Sequence, residues 1–296
     1  VRNWIQCACL VALVVSVRED ACAEVLRDVV YGTGGGEELR LDVRIPQGHP
    51  PYPVAVLVHG GGWGSGDKGG ADKPGSGADI TPWFAPLEEA GVLAFSIGYR
   101  LAPTHRWPAC FEDVQTAIRW VKTHAAEYGG DPERIALFGH SAGGHLAFLA
   151  AVQATEDTRV QAAVGFAPVT DFEQDLPIRG GLSVALQNLH GRPKEPTAEA
   201  LAILRETSPV NHVRPGLPPF LIVHGDADRT VPLEQSRQFL DRLAVAGVRG
   251  DLVVLRGAPH RLTEWDVHDA SWSTKVVAWL RSVWGIETET SSGYSK

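Results

Sequence analysis

Dense clusters of lysine and arginine are missing from this chain, no Cys/His spacing fits a zinc site, and no segment repeats itself. The first absence argues against nucleic acid as a partner. The chain carries 27 basic and 35 acidic residues, a formal net charge of -8 that favours solubility without revealing a substrate. The second leaves no metal to be expected, and the third excludes a solenoid or propeller built of repeated units. Cysteine is scarce as well. Of four, Cys7, Cys9 and Cys22 fall within the first 23 residues, so only Cys110 would remain after a cleavage there, too few for an internal disulfide. Near a helix start, Cys110 reads as a small buried hydrophobe.

The extended apolar run from Trp4 to Val17 is short for a bilayer span. With Arg2 before it and Ala21-Cys22-Ala23 as a small-x-small cleavage site, residues 1–23 read as a signal peptide, which points to secretion or periplasmic delivery. Arg18, Glu19 and Asp20 make a charged approach to that site and keep a buried amphipathic first helix as the other reading. No lipobox surrounds the early cysteines, so no stable membrane anchor is expected.

Residues 24–296 suffice for one large domain, and 44% hydrophobic against 21% charged residues is ordinary globular composition. Residues 25–31 and 39–45 alternate apolar and polar positions, as half-exposed antiparallel strands do, with Gly32 to Gly36 as the turn. From residue 54 onward the strands become continuous apolar runs, at 54–58, 92–97, 135–138, 162–166, 220–223 and 252–255. Helical patterns lie between them, such as Phe111, Val114, Ala117, Ile118 and Val121, and the stretches 233–246 and 270–284. Such alternation predicts an α/β fold. A mostly parallel central sheet of about eight strands would carry helices on both faces and active residues at the carboxyl ends of its strands.

Two stretches interrupt the pattern. Residues 64–79, dense in Gly, Asp, Lys and Ser, read as a mobile loop. Residues 172–217, rich in proline with a helical piece at 197–205, read as a small cap-like insertion over a pocket or as a plain surface excursion.

The chemistry is concentrated after three of the apolar runs. Ile135-Ala136-Leu137-Phe138 leads into Gly139-His140-Ser141-Ala142-Gly143 and out into a helix, the pattern of a nucleophile elbow that holds the Ser141 hydroxyl out at a strand end. The run 54–58 empties into His59-Gly60-Gly61-Gly62-Trp63, whose glycines expose backbone N–H groups where a tetrahedral oxyanion needs donors. Gly61 and Gly62 are the candidate oxyanion donors, with Ala142 as the third. The run 220–223 continues into His224-Gly225-Asp226-Ala227-Asp228, which offers carboxylates, and the run 252–255 leads to His260. The order serine, aspartate, histidine is complete. An imidazole with a free pKa of about 6.5 can take the proton that a serine hydroxyl does not give up alone.

These motifs, in this order, resemble the α/β-hydrolase superfamily, in the esterase and lipase branch that carries His-Gly-Gly-Gly together with Gly-x-Ser-x-Gly. The likeness covers nearly all of the chain beyond its first few dozen residues. His59 to Trp63 followed by Gly66-Asp67-Lys68 is similar to bacterial feruloyl-esterase-like and acetyl-xylan-esterase-like proteins. Tyr99-Arg100-Leu101-Ala102-Pro103, Pro108 and Asp113 also match and imply a structural Arg100–Asp113 pair. The resemblance implies that the triad acid follows His-Gly-x-x, which selects Asp228 over Asp226. It further implies a serine carboxylesterase without cofactor, acting on a small-molecule or polysaccharide-linked ester, with acetyl or feruloyl esters of plant polysaccharides as the narrower expectation. An aryl-formamide hydrolase or a lipase shares the same motifs. A non-catalytic binding module is the reading from another class, and it usually lacks a triad member, whereas all three residue types are present here.

Other residues keep two readings each. Trp63 either stacks on an aromatic or sugar group of the substrate or packs beneath the glycine loop. His140 either lines the pocket or packs, and His145, a turn along the helix, reads as structural. His268 with Asp266 and Glu264 reads as solvated surface.

Overall fold

The computed structural model describes residues 24–70, 80–174 and 176–286. The expected signal peptide, with Cys7, Cys9 and Cys22, lies outside them. Eight strands form one sheet in the order β1-β2-β4-β3-β5-β6-β7-β8. Their spans are β1 Glu24–Gly34, β2 Glu37–Ile45, β3 Tyr52–Val58, β4 Leu93–Ile97, β5 Gly130–His140, β6 Ala162–Phe166, β7 Phe220–Gly225 and β8 Gly250–Leu255. The β1/β2 and β2/β4 pairs are antiparallel and the remaining pairs parallel. This is the α/β-hydrolase architecture, a mixed and mostly parallel sheet, as the run of apolar segments implied.

The helices are α1 Phe84–Glu89, α2 Ala109–His124, α3 Ala142–Val152, α4 Leu176–Arg179, α5 Val184–His190, α6 Ala198–Thr207, α7 Leu233–Val245 and α8 Trp272–Trp284. Continuous apolar strands follow from a sheet covered on both faces. Within β3, Val54, Val56 and Val58 join one buried cluster with residues of α2, α3, α5, α6 and α7, whereas Ala55 and Leu57 join another with α1 and α8. In the second cluster the ring of Trp83 meets Trp272 at 4.6 Å and Phe166 at 4.4 Å. Helix α3 has no polar face because none of it reaches solvent: all eleven of its residues are buried.

Strand order explains where the site lies. After β3 the chain moves outward to β4, then returns to place β5 on the other side of β3. Loops leaving the carboxyl ends of β3 and β5 therefore diverge and open a crevice, the usual ligand position in a sheet of this kind.

The loop expected to be mobile is instead tied down through residue 70. Lys68 Nζ lies 2.6 Å from Asp42 Oδ1 on β2 and 2.8 Å from Asp28 Oδ1 on β1, and the Ser96 hydroxyl donates to the Lys68 carbonyl at 2.6 Å. Composition could not show this, because the anchoring carboxylates come from strands far upstream. Residues 71–79 lie outside the described residues. The Arg100–Asp113 pair forms with Nε 2.9 Å from Oδ2 and Nη2 2.7 Å from Oδ1, and the Arg100 amide adds a third donor at 2.8 Å. Cys110 is buried.

Candidate active site

Ser141 sits between β5 and α3 at φ 54° and ψ -116°, a left-handed backbone for a residue with a side chain. Such a conformation costs on the order of 1–3 kcal/mol and persists only where the surroundings impose it. The imposition is visible at the flanking glycines. A Cβ on Gly139 would stand 2.2 Å from the Gly143 carbonyl oxygen, and one on Gly143 would stand 2.1 Å from that of Val58. The helix thus begins in near contact with its own strand and with β3, and the turn projects Oγ over the sheet edge.

Three side chains meet there. His260 Nε2 lies 2.9 Å from Ser141 Oγ, and His260 Nδ1 lies 2.6 Å from Asp228 Oδ2. With Nδ1–H donating to the carboxylate, Nε2 is free to accept the serine proton. The other carboxylate oxygen, Oδ1, accepts the backbone N–H of Thr230 at 2.7 Å and of Val231 at 2.9 Å. Burial by itself would raise the Asp228 carboxyl. The hydrogen bonds from His224 and His260, the His260 charge and the Val231 N–H outweigh it and hold the group well below the carboxylate range. Asp226 does other work: its Oδ1 accepts the Gly257 N–H at 2.6 Å and fastens the loop that carries His260.

The glycine loop turns tightly beside them. Gly61 has φ 110°, its carbonyl accepts the Ser65 N–H at 3.0 Å, and a Cβ on it would lie 2.1 Å from the Ser65 carbonyl oxygen. Gly62, Trp63, Ser141 and Ala142 line a cavity of about 180 Å³, completed by Phe172, Leu186 and Val231 among others. Gly62 and Ala142 therefore border the same space as the Ser141 hydroxyl, whereas Gly61 does not line it and closes the turn behind.

Trp63 is 4% exposed, donates from Nε1 to His145 Nδ1 at 3.2 Å and meets the Phe172 ring edge-on at 5.4 Å. It packs under the glycine loop and contributes a wall to the cavity. His145 in turn donates from Nε2 to the Thr207 carbonyl at 2.7 Å, so the two contacts fix its neutral tautomer. His140 is not among the cavity-lining residues. Its ring lies 4.8 Å from that of His260, and Nε2 donates to the His260 carbonyl at 3.0 Å. Asp266 accepts the Trp272 indole N–H at 2.7 Å.

The insertion supplies part of the pocket wall: Phe172, Arg179, Ser183, Ala185 and Leu186 all border the cavity. Its Leu182, Leu186, Leu189 and Leu204 are buried in the main core beside β3, α2 and α3, which a loose surface excursion is not. Arg179 and the second imidazole near Asp228, that of His224, escaped the sequence reading. For His224 a signal existed, its place four residues before the acid at a strand end. A larger open groove of about 450 Å³, bordered by Arg159, Arg214 and Arg249, contains none of the triad.

A hydroxyl, an imidazole and a carboxylate linked in this way at the rim of such a sheet have the geometry of a serine-hydrolase triad on the α/β-hydrolase fold. Residues 41–243 match the BD-FAE family. Among curated proteins, the chain is 37% identical over 203 residues to a probable carboxylic ester hydrolase, LipM, of Mycobacterium tuberculosis, covering 64% of this chain and 44% of the relative. It is 34% identical over 252 residues to Esterase LipC of the same organism, covering 79% and 59%. The chain thus spans about half the length of the curated relatives it matches. Among solved structures, esterase Est2 of Thermogutta terrifontis superposes with a TM-score of 0.69 at 29% identity, over 91% of this chain and 95% of that one. A truncated carbohydrate esterase from gut microbiota shares the fold, with a TM-score of 0.73 at 24% identity over 88% and 96%. The chain belongs to the BD-FAE family of α/β-hydrolase esterases.

Proposed function

We propose that this chain is a carboxylesterase that works through an acyl-enzyme on Ser141 and prefers small acyl groups, acetyl foremost. The observation that carries the reading is the unbroken hydrogen-bonded line from Ser141 through His260 to Asp228, beside a cavity bordered by Gly62 and Ala142. Ser141 Oγ attacks the ester carbonyl while its proton passes to His260 Nε2. The tetrahedral oxyanion draws on the N–H groups of Gly62 and Ala142, with Gly61 shaping the loop that presents the first. Collapse expels the alcohol, which leaves with the proton from His260. Water, deprotonated by the same imidazole, then attacks the acyl-serine, and the carboxylic acid departs as the proton returns to Ser141.

The cavity supports the preference for small acyl groups. At about 180 Å³ it is smaller than the roughly 300–1,000 Å³ of pockets that enclose drug-sized ligands, which favours acetyl over feruloyl. Est2 has been solved with butyrate and with propionate bound, both short carboxylates. The narrower proposal is that the alcohol belongs to a plant polysaccharide and that the enzyme is exported. Its support is the likeness of the glycine-loop motif to acetyl-xylan-esterase-like proteins and the signal-like pattern of residues 1–23.

A burst of nitrophenol from nitrophenyl acetate, abolished in Ser141→Ala, tests the acyl-enzyme. Rates on acetylated xylan, methyl ferulate, N-formylkynurenine and long-chain glycerides then test the substrate class. Fastest release from acetylated xylan supports the proposal, and a clear preference for methyl ferulate, the formamide or the glyceride overturns it.

A further inference from the structure

His224 is the penultimate residue of β7, fully buried, and unused in the reaction described above. Its Nε2 lies 3.0 Å from the Val231 carbonyl oxygen and 3.3 Å from Asp228 Oδ2. Both neighbours are acceptors, so Nε2 carries a proton and shares it between them. Nδ1 lies 2.7 Å from the Ser236 hydroxyl on α7, which donates to it in the neutral ring. Ser236 thereby selects the tautomer that presents an N–H to Asp228.

Asp228 is therefore held from four directions. Oδ2 faces His260 Nδ1 at 2.6 Å and His224 Nε2 at 3.3 Å, while Oδ1 takes the two backbone N–H groups of Thr230 and Val231. We infer that His224, backed by Ser236, is a positioning residue for the triad acid, fixing the Asp228 carboxylate and tempering its pull on the His260 proton. The inference rests on the esterase reading of Ser141. A carboxylate that shares its charge with a second imidazole N–H stabilises imidazolium at His260 less than a carboxylate without that donor. Removing the His224 donor makes His260 a stronger base and moves the acid limb of the reaction to higher pH.

The charged and titratable groups facing this cluster come from several elements. His140, at the end of β5, lies against His260; Asp226 binds the Gly257 N–H; and Arg179 on α4 donates to the Thr230 carbonyl at 2.6 Å. They are common to all the variants below, so a shift is read against a constant background.

The test is the rate at which a fluorophosphonate probe labels Ser141 as a function of pH, in the parent and in His224→Phe, His224→Gln and Ser236→Ala. The midpoint of the acid limb should rise by about half a pH unit or more in His224→Phe, so that labelling on the limb falls about threefold beyond any change at the plateau. Ser236→Ala should move it the same way by less, and His224→Gln, which keeps an N–H donor, should stay nearer the parent. Should His224→Phe fail to fold, Ser236→Ala decides alone. One midpoint shared by the parent and every folded variant overturns the inference, whatever happens to the plateau rate, because a packing role moves rate or stability and not the limb. A parent that does not label overturns the proposed function itself and this inference with it.

Discussion

His140 Nε2 donates to the backbone carbonyl of His260 across 3.0 Å, so the residue before Ser141 grips the residue proposed as its base. The bond joins the end of β5 to the loop after β8, and His140 Nδ1 is buried with no hydrogen-bond partner among the described residues. Replacing the ring by Phe removes the bond that places His260 while filling the site with a slightly larger apolar ring. We expect His140→Phe to fold and to lose about 10- to 100-fold in kcat/KM, the scale of a displacement near 1 Å at a reacting group. Steady-state kinetics beside a thermal melt checks this, and an unchanged kcat/KM in a folded variant contradicts it.

Four imidazoles near the site or its supports are poised to stay uncharged. Burial drives His140 and His145 down to about 3, and His59 and His190 to about 4. In the proposed reaction His260 Nε2, 2.9 Å from Ser141 Oγ, is the group that exchanges a proton with the serine. The acid limb of kcat/KM should follow a single proton, with activity falling about tenfold per unit once His260 is charged. A limb with a slope of two protons above pH 5 would show that another of these histidines takes part.

The same burial links stability to pH. A histidine whose folded pKa is depressed binds its proton only on unfolding, so its stabilising contribution is complete above the free value of 6.5 and is lost as pH falls toward the folded value. For His59, His140 and His145, all fully buried, the loss at pH 5 is up to roughly 2 kcal/mol each. The melting temperature should drop steadily between about pH 6.5 and pH 4, and a flat or rising profile across that window contradicts the assignment.

Much of this molecule could be read from its residues, and the failures have physical causes. The inner strands were legible because a sheet buried on both faces demands uninterrupted apolar runs, and the elbow because its glycines answer to contacts near 2 Å that no side chain survives. Helix α5 escaped notice because seven residues hold too few turns for a period to register, although Ser183 caps it by accepting the Leu186 N–H. Asp226 and Asp228 differ in role by where their oxygens find N–H groups, which spacing does not encode. His140 and Trp63 kept two readings for a similar reason. Their partners, the His260 carbonyl and His145, are 120 and 82 residues away.

Lys68 is the residue that turns a loop of flexible composition into a fixed support for the glycine turn. Asp42 is nearly buried at 2% side-chain exposure, and among the described residues Lys68→Met leaves its charge with the Asp28 N–H at 2.9 Å and Arg27 at 3.6 Å. Removing one partner of a buried pair costs about 3–5 kcal/mol, and the remaining contacts place this case near about 3. Urea unfolding of Lys68→Met should show that loss, and a midpoint equal to the parent's would mean that the pair contributes nothing.

The most direct measurement is the mass of the protein quenched in acid milliseconds after mixing with excess nitrophenyl acetate. The account predicts a transient gain of one acetyl group, mapped by peptide analysis to Ser141 and missing from Ser141→Ala. Turnover of the ester with no covalent adduct at any time, or an adduct on another residue, would contradict it.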